Sequence, residues 1–597
     1  MTTKPTKSKS VTALDWILFA VLAVACFFCF NEGDIRHTAG SSFGYLAGHF
    51  RDFYDYNSSF GLGDAYMPST YVFFAIWNIP LKLLGLISEP TMDISVPILQ
   101  WNKLLPTLFF FGCAYLMSLI LRELKASERE VKIGTFLFLS SPIAFFSQFM
   151  CGQYDSLTLF FMMLGIYYWM KDKTIPFILC FAFSLTFKYT SLLVFVPLLV
   201  LKEKRYWRII FSGILVMIPI ALMILCYMKS EAFRDNVFGF GAVSYTLSVS
   251  FKATYFPISV LIVLWLLICG VAFFHDCKSR TELYQWGVFV ASLVCLLVFT
   301  LCQWHPQWLM FMTPFLVLGA IYNKKAKEML FFEFLLMVAY IFVTTIMWSN
   351  HVDQRLFEWG IFRPLVLQKG DFVLTIRRLF FSVPLILTYS TFVGILLIMT
   401  VYKHPHFLQD RFSETLDSAK AMIRVRFLGG LAVFLVPACL CFAVLLKQPD
   451  LIIDYYPHYV PLETLTEDCD VRQYFSGPDF EMTRIGVYVT TEEHFYQDGT
   501  LVIEVYDAAT DTKIAETSRE LYVFTGDDLY YNVDIDPVQI REGELYYLKF
   551  YLQGADEETT LCLYRLRDYT AGETSYLMLE GEIQDYRLCV CMYGTTD

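Results

Sequence analysis

Charge is what this chain has least of. Only 17% of its 597 residues are Asp, Glu, Lys or Arg, where an ordinary soluble protein carries roughly 25%. A continuous basic face is missing as well, and the net charge is −11, so nucleic-acid binding is excluded on charge. That acidity is concentrated after Lys447, and the apolar part is nearly balanced. Cysteine is scarce where it could staple a fold. Of the 16 cysteines only Cys469, Cys562, Cys589 and Cys591 lie in the polar tail; the others sit in apolar runs, where they act as small hydrophobes. No disulfide framework follows. Lys4, Lys7 and Lys9 precede the first apolar run, but no small-residue cleavage site follows it, so the run reads as a retained signal anchor. Internal repeats are lacking too, which weighs against a repeat-built transporter.

What is present is hydrophobic, at 56% of residues with 18% aromatic. A membrane helix needs ~20 apolar residues. Candidate spans are 14–30, 101–121, 133–149, 156–170, 209–227, 256–274, 284–301, 308–322, 329–348, 379–401 and 427–446. A further apolar stretch, 175–201, is broken by Lys188 and Pro197 and reads as two short helices. Segment 71–87, holding Pro80 and Lys82, reads as an amphipathic helix lying on the surface rather than a span. Lys and Arg collect in alternate loops, which gives about thirteen crossings with the N-terminus cytoplasmic and the C-terminus outside.

After Leu446 the pattern changes to short alternating runs at 485–489, 501–506, 521–524, 530–535, 545–552, 561–564 and 586–592. Turns such as Gln497-Asp498-Gly499 separate them, as in a β-sandwich. The expected organisation is a membrane domain over 1–447, with a first exterior loop at 31–100, and an extracellular all-β domain over 448–597.

The polar clusters all fall on the exterior side of that topology. Glu32, Asp34, Asp52, Asp55 and Asp64 occupy the first loop. Gln153, Tyr154 and Asp155 open the fourth crossing, and Gln303 to Trp308 joins two later ones. Solvated loop acids are the plain alternative for Asp52, Asp55 and Asp64, and helix capping for Asp155. Lys188 is harder to treat as ordinary, because a cation in an apolar run needs a partner.

These residues resemble the GT-C superfamily, membrane glycosyltransferases that use polyprenyl- or dolichyl-phosphate sugars. The likeness is nearest to bacterial mannosyltransferase-like proteins and is similar to GPI-anchor and dolichol-pathway enzymes. It rests on Asp34 after the first helix, Tyr66–Tyr71, Ser141-Pro142-Ile143, Gly152–Ser156, Phe187-Lys188-Tyr189 and His305–Trp308. It covers roughly 10–325, and the β-domain stands outside it. The resemblance implies inverting transfer of a sugar, with mannose a candidate, from a polyprenyl-phosphate donor to a glycan, lipid or protein acceptor at the cell membrane. Asp34 would be the catalytic base, with Glu32 the alternative. Lys188, His305 and Arg36 would hold the donor phosphate, and Gln153, Tyr154, Asp155, Asp52 and Gln307 the sugar or acceptor. Glu32-Gly33-Asp34 stands where an Asp-x-Asp is usual, so a divalent metal cofactor stays open. Two other readings remain: a flippase or transporter for lipid-linked saccharides, and a polysaccharide polymerase or ligase. The latter would use the late loop 349–378 with Asp353, Arg355, Glu358 and Arg363. Tyr530, Tyr531, Tyr546 and Tyr547 are candidate sugar-stacking residues of the β-domain, with ordinary strand packing as the alternative.

Overall fold

The computed structural model describes residues 11–239, 249–252, 257–302, 304–322, 325–347, 355–369, 384–402, 419–455, 459–465, 469–491, 498–524, 529–555, 561–566 and 575–596. Lys4, Lys7, Lys9, Gln303 and Asp353, and the side chains of Arg355 and Tyr530, lie outside the described residues. The chain forms two compact units, residues 1–361 with 375–438, and residues 362–374 with 439–597.

The first unit is helical. Among the described residues, Val96–Glu123, Tyr206–Tyr227, Arg280–Leu301, Ala326–Thr345 and Lys420–Leu445 are long and apolar enough to cross a membrane. Two bent pairs raise that number to seven if each is one span: Ala13–Cys29 with Gly33–Leu46 (65°), and Glu128–Leu139 with Pro142–Cys151 (50°). Among the described residues these spans do not confirm the expected count of about thirteen crossings. Several apolar runs are divided into helices too short to span alone, among them Thr174–Leu185, Thr190–Lys202 and Val260–Phe274. The stretch broken by Lys188 forms two helices, as its residues suggest. Segment 71–87 lies mostly in the 16-residue helix Pro68–Leu83. At 1.5 Å per residue it measures about 24 Å, short of a ~30 Å hydrocarbon core. Its exposed Val72, Ile76, Ile79 and Leu83 fall at helical spacing, opposite the buried Tyr71, Phe74 and Asn78.

Proline causes the second bend, and a buried arginine makes it tolerable. Pro142 has no N–H and interrupts the helix that ends at Leu139. The freed carbonyls of Leu137 and Ser140 accept from Arg426, at 2.6 and 3.2 Å. The same guanidinium grips Glu333 through Nε (2.7 Å) and Nη2 (3.0 Å), and Ser141 Oγ donates to that carboxylate at 2.7 Å. With Ser140 Oγ as a further acceptor, all five guanidinium N–H groups have partners. Arg426 and Glu333 are almost wholly buried, so removing one strands the other. Arg426→Met should cost about 3–5 kcal/mol, whereas Arg426→Met/Glu333→Gln should recover much of that. Thermal unfolding of the detergent-purified variants checks the difference.

The second unit is a β-sandwich. Its strands are β1 (Asp450–Asp454), β2 (Tyr459–Thr464), β3 (Val471–Phe475), β4 (Phe480–Thr491), β5 (Thr500–Asp507), β6 (Thr512–Glu520), β7 (Leu529–Ile540), β8 (Tyr546–Gln553), β9 (Leu561–Leu566), β10 (Tyr576–Leu579), β11 (Glu582–Ile583) and β12 (Val590–Thr595). One sheet runs β11-β10-β3-β8-β5-β6; the other runs β1-β12-β4-β9-β2, with β7 also on β4. One core fills the space between them, including Phe475, Ile485, Ile503, Leu548 and Met592. Residues 362–369 join this unit, with Lys369 ion-paired to Asp450.

Two expected strands differ. Leu521–Val523 is a single 3-10 turn, and the last strand begins at Val590 rather than at Tyr586. The described tyrosines proposed for sugar stacking are buried: Tyr531 and Tyr546 belong to the sandwich core, and Tyr547 is covered on the other face of its strand. Tyr547 is sandwiched in a cross-strand row, 4.7 Å from Tyr506 and 5.0 Å from Tyr474, which in turn stacks on Tyr576 at 4.4 Å. Rings covered by one another present edges, so the row stabilises the sheet.

Candidate active site

Seven separate segments of the first unit build one cavity. The first follows the 65° bend. Helix Ala13–Cys29 ends at Phe30, whose backbone is extended, and the chain restarts as helix Gly33–Leu46 capped by Glu32. The late loop fixes this break. Asn31 N donates to Leu356 O and Asn31 Nδ2 to Trp359 O, both at 2.9 Å, while Ile361 N donates to Phe28 O at 3.0 Å. Gly360 permits the approach, because a Cβ there would sit 2.1 Å from Cys29 O.

Asp34 therefore stands in the first turn of a helix, where a carboxylate is favoured by the helix dipole. It lines a cavity of about 290 Å³ together with Tyr66, Tyr154, Lys188, His305, Gln307 and Trp308. Gln307 Nε2 donates to Asp34 Oδ2 at 3.4 Å. Glu32 takes a different post: its carboxylate accepts from Asp34 N at 2.8 Å, so it caps the helix. Asp34, and not Glu32, is on the cavity wall.

Lys188 occupies the turn between helices Thr174–Leu185 and Thr190–Lys202 and is ion-paired with Asp155. Its ammonium also lies 4.7 Å from the Trp308 ring centroid and 5.0 Å from that of Tyr154. Asp155 is not the N-cap that its position suggests. It is the first helical residue after the cap Tyr154, and it spends Oδ1 on Lys188 while Oδ2 is buried without a hydrogen bond. Gln153 is buried too; its Oε1 accepts from Tyr154 N at 3.1 Å, and its Nε2 is buried without a hydrogen bond. His305 caps the 3-10 segment Pro306–Met312 and lies 5.4 Å from Trp308, ring to ring.

The rest of the cavity lining is largely apolar. Helix Tyr206–Tyr227 contributes Ile220 and Ile224, and Val237 and Phe238 follow from the next turn. Composition identified Ile220 and Ile224 as residues of a membrane span, but only the fold places these four in the same cavity as Asp34.

Glu32, Gln153 and Asp155 do not line that cavity, and neither do two further expected site residues, Arg36 and Asp52. Arg36 is two positions beyond Asp34, about 200° around the helix, and its guanidinium lies 3.8 Å over the Trp359 ring. Asp52 is on an exposed turn, bonded to His49 Nδ1 at 2.8 Å, a contact that holds its carboxyl below the usual range. Asp55 accepts from Ser230 Oγ and Ala232 N. Asp64 is buried beside the cavity-lining Ala65, 3.6 Å from His37; burial pushes its carboxyl up, and His37 opposes that. Among the described residues, no group of three or more His, Cys, Asp or Glu could hold a metal ion.

Sequence reasoning missed Lys103. This fully buried cation donates to the carbonyls of Phe27 (3.0 Å), Phe30 and Phe149 (2.9 Å). It thus joins the carboxyl ends of two helical segments, where the dipole favours a positive charge. Gly152, at φ +76°, packs against it: a Cβ would lie 2.7 Å from Lys103 Cε. The signal was available, a lysine in the apolar run that begins at Trp101.

No family model matches the chain, and no curated protein matches it. Among solved structures it is similar to the arabinosyltransferase EmbB from Mycobacterium smegmatis, at 12% identity and a TM-score of 0.36 over 94% of this chain. The chain spans 65% of that protein's length.

Proposed function

We propose that this multi-pass membrane protein is a GT-C-type glycosyltransferase that moves a sugar from a polyprenyl-phosphate carrier to an acceptor hydroxyl, inverting the anomeric carbon. The observation that carries the reading is the cavity's mixed lining. Asp34, Lys188 and His305 line it together with the apolar Ile220, Ile224, Val237 and Phe238. That arrangement suits an amphiphile with a polar sugar phosphate and a prenyl tail. The motifs that resemble the superfamily supply most of the polar lining.

The chemistry is a single displacement. Asp34 accepts the proton of the acceptor hydroxyl as its oxygen bonds to the anomeric carbon. The bond from that carbon to the phosphate oxygen breaks, and the lipid phosphate leaves with the electron pair. Lys188, ion-paired with Asp155, and His305 stabilise the departing charge. Gln307 aims the Asp34 carboxylate, and Gln153 with Asp155 offers buried polar atoms to sugar hydroxyls. In the topology that the Lys and Arg pattern favours, this happens at the outer membrane face.

The runner-up is a polymerase or ligase. The docking of Leu356–Ile361 on the first bend favours it, because a late loop then helps to shape the donor site. Purified protein incubated with a panel of polyprenyl-phosphate sugars, followed by mass spectrometry, tests the proposal. Release of polyprenyl phosphate from at least one donor is expected; if every donor stays intact, a flippase becomes the better reading.

A further inference from the structure

A second and larger cavity, of about 520 Å³, opens at the other end of the same helices. Phe211 lines it and Ile224 lines the first cavity; thirteen residues of one helix separate them by about 20 Å. Two helices begin here, at Thr174 and at Tyr206, and neither cap residue, Lys173 or Arg205, bonds its helix through its side chain. The positive ends of two helix dipoles therefore meet in one place.

Side-chain charge adds to them. Lys173, Lys202, Arg205 and Arg208 line the rim with one acid, Glu203. Arg205 (2.9 Å) and Arg208 (3.5 Å) share Glu203, and Lys202 pairs with Asp172 at 2.5 Å. Four cations against two carboxylates leave a surplus of two positive charges. Trp207 is exposed at the mouth, with the Arg208 guanidinium 5.0 Å over its ring. Below the rim the lining turns apolar, with Ile178, Phe211 and Leu215. The groove opens to the surface along helix Tyr206–Tyr227, of whose most apolar stretch only 11% is buried.

We propose that this cavity binds an anionic phospholipid. The phosphate sits among Lys173, Arg208 and the two helix starts, and one acyl chain follows Ile178, Phe211 and Leu215. A free phosphate would use only the rim, whereas a lipid uses the rim and the apolar groove together. Basic pockets between membrane helices hold anionic headgroups on the same physical grounds. The site is independent of the sugar-transfer reading, since it shares no residue with the Asp34 cavity.

Native mass spectrometry of the purified full chain in phosphatidylcholine nanodiscs, titrated with phosphatidylglycerol, tests this. Phosphatidylglycerol should be retained at least tenfold over phosphatidylcholine. Lys173→Gln/Arg208→Gln should cut that preference fivefold or more, with an unchanged melting temperature in phosphatidylcholine alone. If the double variant melts early, the exposed Lys173→Gln alone carries the comparison. Equal retention of the two lipids, an unaltered preference in the variants, or displacement of phosphatidylglycerol by millimolar inorganic phosphate would each overturn the assignment.

Discussion

Asp34→Asn lowers turnover by about 10²–10⁴-fold, the usual contribution of a positioned general base. The substitution is nearly isosteric, and the amide oxygen can still accept from Gln307 Nε2. The backbone N–H of residue 34 still reaches Glu32, so the helix start survives and the melting temperature holds. Glu32→Gln behaves in the opposite way. It weakens a cap, worth about 0.5–2 kcal/mol, and lowers stability more than the chemical step. Single-turnover release of polyprenyl phosphate, paired with thermal unfolding, separates the two. A Glu32 variant that lost the chemistry while Asp34→Asn kept it would move the base to Glu32.

The sequence favoured Asp34 and kept Glu32 as the alternative, without a physical reason to separate the two acids of Glu32-Gly33-Asp34. After the break at Cys29, Glu32 caps the helix start and Asp34 lines the cavity. The helices themselves were legible, because apolar runs near 20 residues have few other readings. Helix Tyr206–Tyr227, for instance, lies within three residues of its expected start and at its expected end. Crossing number was less legible, since whether a run bends depends on contacts such as Arg426 with the carbonyls beside Pro142. Neither Glu333 nor Arg426 stood out in the sequence, because each lies near the edge of an apolar run. Arg36 and Asp52 were misplaced for a simpler reason. Proximity along the chain says nothing about facing: Arg36 is about 200° around the helix from Asp34, and Asp52 lies beyond the end of that helix on an exposed turn. In the β-domain, alternation found β4, β5, β7, β8, β9 and β12 but missed the short strands β1, β2, β3, β10 and β11, and also β6, whose residues are mostly exposed and polar.

Lys188→Met has the second large expected effect, and its interpretation depends on Asp155. Alone, the substitution leaves the Asp155 carboxylate buried with neither oxygen satisfied, a loss of about 3–5 kcal/mol. A fall in activity in that single variant would therefore report unfolding as much as chemistry. Asp155→Asn/Lys188→Met removes both charges and should regain most of the stability, since the remaining amide needs only hydrogen bonds. If Lys188 serves the leaving phosphate, the refolded double variant still turns over at least 10²-fold more slowly, the scale seen when one transition-state donor is removed. If Lys188 is only Asp155's counterion, stability and turnover return together. Asp155→Asn alone completes the cycle. It should slow turnover less than the double variant, because the ammonium stays between the Trp308 and Tyr154 rings. A coupling of about 0.5–3 kcal/mol in stability is expected for groups in direct contact. The corresponding coupling in turnover measures how much of the phosphate's stabilisation passes through the pair.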